Sequence, residues 1–358
     1  MLPRIIALYL PQYHPFKEND MWWGKGFTEW TNVGKAKALF KGHEQPKVPS
    51  DLGYYDLRLP ETRELQAEYA KRAGIEGFCY YHYWFGGKEL MERPLNEVIE
   101  SKSPDFPFCV CWANESWHNK FWNNDGKIEK KLLIEQEYLG EVDNEEHFYR
   151  LFDAFCDKRY LRQDNRLIFM IYNPLSFKNV SAFMRQWNLL AKKNGLNGFY
   201  FIGYTTNCDA INSILELGFD AVNYNRIDSC YPSKGSVGEL TIRLKRKLFH
   251  KPAIISYKKC IRNLCGVEDN EEYVCPSIIP NWDHTPRSGI NGFLFHNSTP
   301  DLFSEHVSMV LKSVQGKMNR LVFLKSWNEW GEGNYMEPDL KWGCQYIDTL
   351  KRELDKCQ

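Results

Sequence analysis

Short apolar runs alternate with helix-length amphipathic stretches from one end of the chain to the other, the pattern of repeated βα units. Strands are expected at residues 4–10, 77–81, 106–112, 167–172, 199–203, 221–224, 273–278 and 321–324. Helical spacing falls between them at 60–73, 92–101, 144–158, 180–194, 210–217 and 302–316, with a last helix at 347–356. Gly74, Gly195 and Gly218 stand where helices must stop, each just ahead of the next strand.

Eight strands, each followed by at least one helix, fit an α/β fold of the (β/α)₈ TIM type, which needs about 250 residues in its plain form. The surplus length falls into long βα loops after strands 1, 3 and 6, at 11–59, 114–140 and 229–271. No linker, repeat or low-complexity tract divides the chain, so one barrel domain over 1–358 is expected. A doubly wound open sheet is the alternative, because strand order is not written in sequence.

Composition narrows the function. Lys+Arg and Asp+Glu both number 46, which argues against a partner bound by phosphate neutralisation, so no nucleic acid is expected. No window reaches the roughly 20 apolar residues of a membrane span, and the start lacks the features of a secretory signal. The 11 cysteines form no disulfide framework; Cys79, Cys109, Cys111 and Cys275 fall in apolar runs, as buried thiols of a reducing cytoplasm would. Histidines show no zinc spacing and no glycine-rich phosphate loop occurs, so neither metal nor cofactor is expected. Residues 243–251 are a basic run: a solvated helix face, or a peripheral contact with an anionic glycan or acidic membrane surface. Aromatics reach 15 % of the chain; part of that excess suits a large core, and part suits sugar rings, which pack on flat apolar faces.

Polar and aromatic residues gather just after the expected strands, where a barrel carries its chemistry. The first strand is followed by Gln12, Tyr13 and His14, the second by His82, Tyr83 and Trp84. After the third come Trp112, Asn114, Glu115 and Trp117, and after the fourth Asn173. The seventh gives Trp282, Asp283, His284 and Arg287. The densest cluster follows the eighth, in Trp327-Asn328-Glu329-Trp330-Gly331-Glu332-Gly333. Two carboxylates beside indoles are the minimum for breaking a glycosidic bond. Glu329 and Glu332 are the expected catalytic pair. Tyr13, His82, Trp84, Trp112, Asn114, Glu115, Asn173, Trp282, Asp283, Arg287, Asn328 and Trp330 are the expected sugar contacts. A non-catalytic glycan-binding barrel is the alternative from another class.

These residues carry a resemblance. Ala7 to Pro15, Trp23 to Val33, Tyr80-Tyr81-His82-Tyr83-Trp84-Phe85, Trp112-Ala113-Asn114-Glu115 and the C-terminal glutamate block are similar to the WbsX-like proteins. That family is assigned to O-antigen, lipopolysaccharide and capsule biosynthesis as glycosyltransferases, and is related to glycoside hydrolase family 99, the endo-α-mannosidases and endomannanases. The resemblance covers essentially the whole chain. It implies retaining chemistry in which Glu329 acts as base on the substrate 2-hydroxyl and Glu332 as general acid and then base. It also implies an oligo- or polysaccharide substrate, and leaves transfer from an activated donor as the rival to hydrolysis. No Asp-x-Asp motif for a nucleotide-sugar cation occurs in the sequence.

Overall fold

The computed structural model describes residues 2–122 and 128–357. Eight parallel strands form its centre: β1 (Arg4–Tyr9), β2 (Gly77–Trp84), β3 (Phe108–Trp112), β4 (Arg166–Ile171), β5 (Phe199–Thr205), β6 (Ala221–Tyr224), β7 (Val274–Ile278) and β8 (Leu321–Leu324). Each pairs with its neighbours in sequence, and β1 pairs with both β2 and β8. Ile6 sits opposite Gly77 on one side and Phe323 on the other, which closes the ring. An open sheet is thereby excluded; the fold is a (β/α)₈ barrel.

The strands read as unbroken apolar runs because both of their faces are covered, one by the packed lumen and one by helices. Ile5 to Tyr9 and Leu321 to Leu324 are buried throughout. The helix Pro60–Ala73 starts on a proline, whose missing N–H costs nothing in a first turn, and ends at Gly74 with a left-handed φ of 79°. The Gly74 N–H returns to the carbonyls of Ala70 and Lys71, and the chain turns directly into β2.

Four details differ from the sequence pattern. β2 continues beyond 81 to Trp84, because its aromatic run is covered on both faces. The helix expected at 144–158 starts earlier and breaks at Leu151, giving Glu141–Arg150 and Phe152–Phe155. The insertion after β3 is an antiparallel hairpin of Trp117–Trp122 with Ile128–Ile134; residues 123–127 of the expected 114–140 loop lie outside the described residues. A fourth insertion follows β7. There Phe293–His296 pairs in parallel with Ala253–Ser256 from the insertion after β6. Together they cover a second core that includes Ile227, Tyr257, Leu264, Ile279 and Phe295. Two four-residue strands are too short to announce themselves by periodicity.

Candidate active site

The segment after β8 folds into a small hairpin that sets the acidic pair. Asn328–Glu329 pairs antiparallel with Asn334–Tyr335, and the turn between them is Trp330–Glu332. Ser326 fixes its base: the Ser326 hydroxyl accepts from the Glu329 N–H at 3.1 Å and donates to the Asn334 carbonyl at 2.8 Å. The hairpin is tied to the other end of the chain. The Trp327 N–H donates to the Leu8 carbonyl at 2.8 Å, and the Asn328 amide bonds both the N–H and the carbonyl of Leu10. Gly331 is required by a close approach, since a Cβ there would overlap the Glu29 carboxylate and sit 3.1 Å from the Arg287 guanidinium.

Glu329 and Glu332 both face a cavity of about 460 Å³ at the C-terminal ends of the strands. Its walls are aromatic: Tyr81 and Tyr83 from β2, Trp117, Tyr172, Tyr204 from β5, and Trp282. Tyr172 and Tyr204 stack at 4.5 Å, and Tyr83 meets Trp117 edge-on at 5.2 Å. Gln12, Glu115, Asn225 and Asp228 add polar groups around the rim.

Two buried cations hold the carboxylates. The Lys325 ammonium, at the very end of β8, contacts Glu329 directly, lies 3.8 Å from Glu332 and donates to the Tyr81 hydroxyl at 3.3 Å. The Arg287 guanidinium bonds Glu332 on one side and Glu29 at 2.9 Å on the other. The cluster thus sets Glu29, Glu329 and Glu332 against Lys325 and Arg287, with the His284 imidazole 3.9 Å from Glu332. Carboxylates crowded together away from water push one of their number toward keeping its proton. Burial, reinforced by the charge of Glu332, pushes Glu329 up to about 7. Burial works on Glu332 too, but Arg287 and then Lys325 prevail and hold it below the usual carboxylate range. Two glutamates with opposed environments are the arrangement from which acid and base roles are made.

The expected sugar contacts divide sharply. Glu115, Trp282 and Arg287 line the cavity. Asn114 and Asn173 line an adjoining groove that shares Glu115; Asn114 bridges to the Asn173 backbone at 2.7 and 2.9 Å, and Asn173 donates to Glu115 at 3.1 Å. Seven others turn away from the cavity. His82 meets His147 at 2.8 Å, Trp84 donates to Asp143 at 2.9 Å, and Trp112 donates to the Trp84 carbonyl at 3.0 Å, all against the helix Glu141–Arg150. Tyr13 and Asn328 serve the hairpin's backbone from within the core. Asp283 holds the first insertion through His43 at 2.8 Å and Gln45 at 2.7 Å. Trp330 is fully buried, stacked on Tyr335 at 3.7 Å, with its indole N–H on Glu337 at 2.6 Å. Burial of the acidic pair is therefore supplied by tyrosines of the cavity rather than by Trp327 or Trp330.

Lys325, Glu29, Tyr81, Tyr172 and Tyr204 are site residues that sequence reading passed over, and Tyr83 was placed at its strand end but not among the expected sugar contacts. One signal was present. Side chains alternate across a strand, so once β2 is extended to Trp84, His82 and Trp84 share one face and Tyr81 and Tyr83 the other.

A closed βα barrel whose strand ends gather a coupled carboxylate pair under aromatic walls belongs, by fold and equipment, with the carbohydrate-active enzymes. Residues 5–350 match the family model described as Glycosyltransferase WbsX, and the chain belongs to that family. It is 31 % identical over 362 aligned positions to the uncharacterized protein WxcX of Xanthomonas campestris pv. campestris, an alignment covering 98 % of this chain and 50 % of that protein. The chain thus spans about half the length of the curated relatives it matches. Among solved structures it is similar to a glycoside hydrolase-like protein, with a TM-score of 0.64 at 15 % identity over 99 % of this chain and 94 % of the other. It is also similar to the GH99 endo-alpha-mannosidase of Bacteroides thetaiotaomicron, with a TM-score of 0.58 at 14 % identity over 99 % and 97 %. At these identities the likeness is one of fold.

Proposed function

We propose that this chain breaks or re-forms a glycosidic bond, with retention, in a bacterial surface polysaccharide or its precursor, and that Glu329 and Glu332 carry the reaction. The observation that carries the reading is the pair itself: two carboxyls, Glu329 buried and Glu332 partly so, pushed in opposite directions and facing one aromatic cavity. Tyrosines, Trp117 and Trp282 would pack on sugar faces, while Glu115, Asn225 and Asp228 would take hydroxyls.

In the chemistry that the resemblance implies, Glu329 takes the proton of the 2-hydroxyl, whose oxygen attacks the anomeric carbon. The glycosidic C–O bond breaks and Glu332 gives its proton to the leaving oxygen, forming a 1,2-anhydro sugar. Glu332 then takes a proton from water, the water oxygen bonds the anomeric carbon, the epoxide opens, and Glu329 returns the proton to the 2-oxygen. Lys325 suits the first part, because an ammonium beside Glu329 favours the ionised base. The resting arrangement has the opposite proton order, with Glu329 raised and Glu332 tied to Arg287. The roles that the resemblance implies therefore need this order of acidities to reverse when a sugar binds.

The test is turnover of defined surface glycans by the purified protein, with product anomer followed by NMR. Glu332→Gln should fail on a poor leaving group yet release the aryl alcohol of an activated aryl glycoside in a first-turnover burst; that behaviour in Glu329→Gln instead would reverse the roles. The family's own description favours a second reading, transfer from an activated donor. Strict dependence on a nucleotide sugar would establish it, and glycan binding without any turnover would leave a non-catalytic barrel.

A further inference from the structure

The helix Val237–Phe249 is built inside out. The other long helices of the barrel bury their apolar row, as Val180–Lys193 does with Val180, Phe183, Met184, Trp187 and Leu190. In Val237–Phe249 the only buried residue is Glu239, whose carboxylate pairs with Arg243 and accepts from the Gly235 N–H. All its apolar side chains but the half-buried Ile242 are exposed instead: Val237 is 82 % exposed, Leu240 55 %, Leu244 56 %, Leu248 59 % and Phe249 64 %. The first four recur at helical spacing and form one stripe along the full length of the helix. Its start is fixed, since the Ser236 hydroxyl accepts from the Glu239 N–H at 3.2 Å, and Arg246 on the inner side donates to the Asn291 carbonyl at 3.2 Å. This is an ordered apolar stripe held up to the outside.

Charge says what covers it. Arg243 and Lys247 flank the stripe on one side and Lys245 on the other, with Lys234 and Lys251 exposed just beyond the two ends. Glu239 is the one carboxylate within the helix, and it faces inward. A second copy docked on the same stripe about a twofold axis would bring these cations against themselves. A surface that offers hydrocarbon below and negative headgroups around it satisfies both parts at once.

We propose that Val237–Phe249 lies in the surface of an anionic lipid bilayer, with Val237, Leu240, Leu244 and Leu248 in the acyl boundary and the lysines among the headgroups. Its inner side connects to the site. Arg246 lines an open cavity of about 560 Å³ with Tyr231, Phe293 and Asp228, and Asp228 also lines the catalytic cavity. Docking by this helix brings the cleft alongside the membrane, so the glycan acted on would be one held at a bilayer. That last step rests on the proposed carbohydrate chemistry; the lipid contact does not.

The experiment is co-sedimentation of the purified protein with vesicles of phosphatidylcholine containing about one-third phosphatidylglycerol, against phosphatidylcholine alone. The protein should bind the mixed vesicles, bind the neutral ones much more weakly, and be released as salt shortens the Debye length from about 10 Å toward about 3 Å. Leu244→Glu with Leu248→Glu should cut binding at least about tenfold. Lys245→Gln with Lys247→Gln, a surface change that leaves the packed core untouched, should cut it about fivefold per charge. Absence of binding to the mixed vesicles overturns the proposal, as does binding that both double variants leave unchanged. Self-association in sedimentation velocity that the Leu244→Glu, Leu248→Glu variant abolishes, without vesicle binding, assigns the stripe to a second copy instead. Because no turnover is read, the outcome is independent of whether the chemistry is hydrolysis, transfer or neither.

Discussion

Glu329 and Glu337 sit on opposite sides of the same short hairpin, both buried and both pushed up to about 7, but their surroundings share nothing else. Glu329 looks into the cavity among charges: Lys325 touches it and Glu332 repels it. Glu337 looks backward into the barrel wall, where burial is opposed only by neutral donors, the Trp330 indole and Gln66 amide at 2.6 Å and the Tyr55 hydroxyl at 2.9 Å. The same displacement of acidity thus arises once in a balanced ionic cluster with room for a ligand, and once in a closed cage. A shifted carboxyl is a candidate for chemistry only when something can reach it. Glu337 is a strut: it holds Trp330 and, through Tyr55 and Asn328, the backbone that aims Glu329.

The comparison breaks most visibly under substitution. Glu329→Gln and Glu332→Gln should each lower glycan turnover by about 10²- to 10⁴-fold, the range for a lost general acid or base. Neither should lower the melting temperature by more than a few degrees, because the amide keeps the carboxyl's shape and each change thins a crowd of like charges. A large loss of stability with activity retained would make the pair structural. Glu337→Ala should do the reverse, stranding three donors and opening a cavity, at a cost of about 3 kcal/mol measured by chemical denaturation. Next comes pH. A carboxyl raised in the fold binds more protons folded than unfolded, so its stabilising contribution is whole below about 4.5 and declines as pH rises toward about 7. Glu337→Gln should flatten that part of the stability–pH profile; an unchanged slope would mean the cage does not retain the proton. The smallest effect concerns the outer face of β2. His82→Gln should leave KM for a glycan within about twofold, whereas Tyr83→Ala, on the cavity wall, should raise it about tenfold or more.

Much of the barrel was legible because its strands are apolar on both sides and its helices are punctuated by residues such as Gly74 and Pro60. The catalytic candidates were legible as well, since Glu329 and Glu332 fall together after the last apolar run. Their neighbours were harder. Proximity to a strand end says nothing about which way a side chain points, and a three-residue error in where β2 stops exchanged His82 and Trp84 for Tyr81 and Tyr83. Lys325 follows Leu324 as any surface lysine might follow a strand; only the closed ring turns it inward. Asp283 and Trp330 were singled out for polarity and aromaticity, which are equally the properties of good braces. In Val237–Phe249 the basic run was legible as a solvated face or an anionic contact, but the apolar stripe beside it shows only once the helix is seen from outside.

The bonds from Leu8 and Leu10 to Trp327 and Asn328 join segments 318 and more residues apart. A ribosome must release every strand from the first to the last before the two can dock and the acidic pair acquire its geometry. Activity would therefore arise only as a product of barrel closure, and any lesion that delays closure would silence the site well before it unfolds the protein.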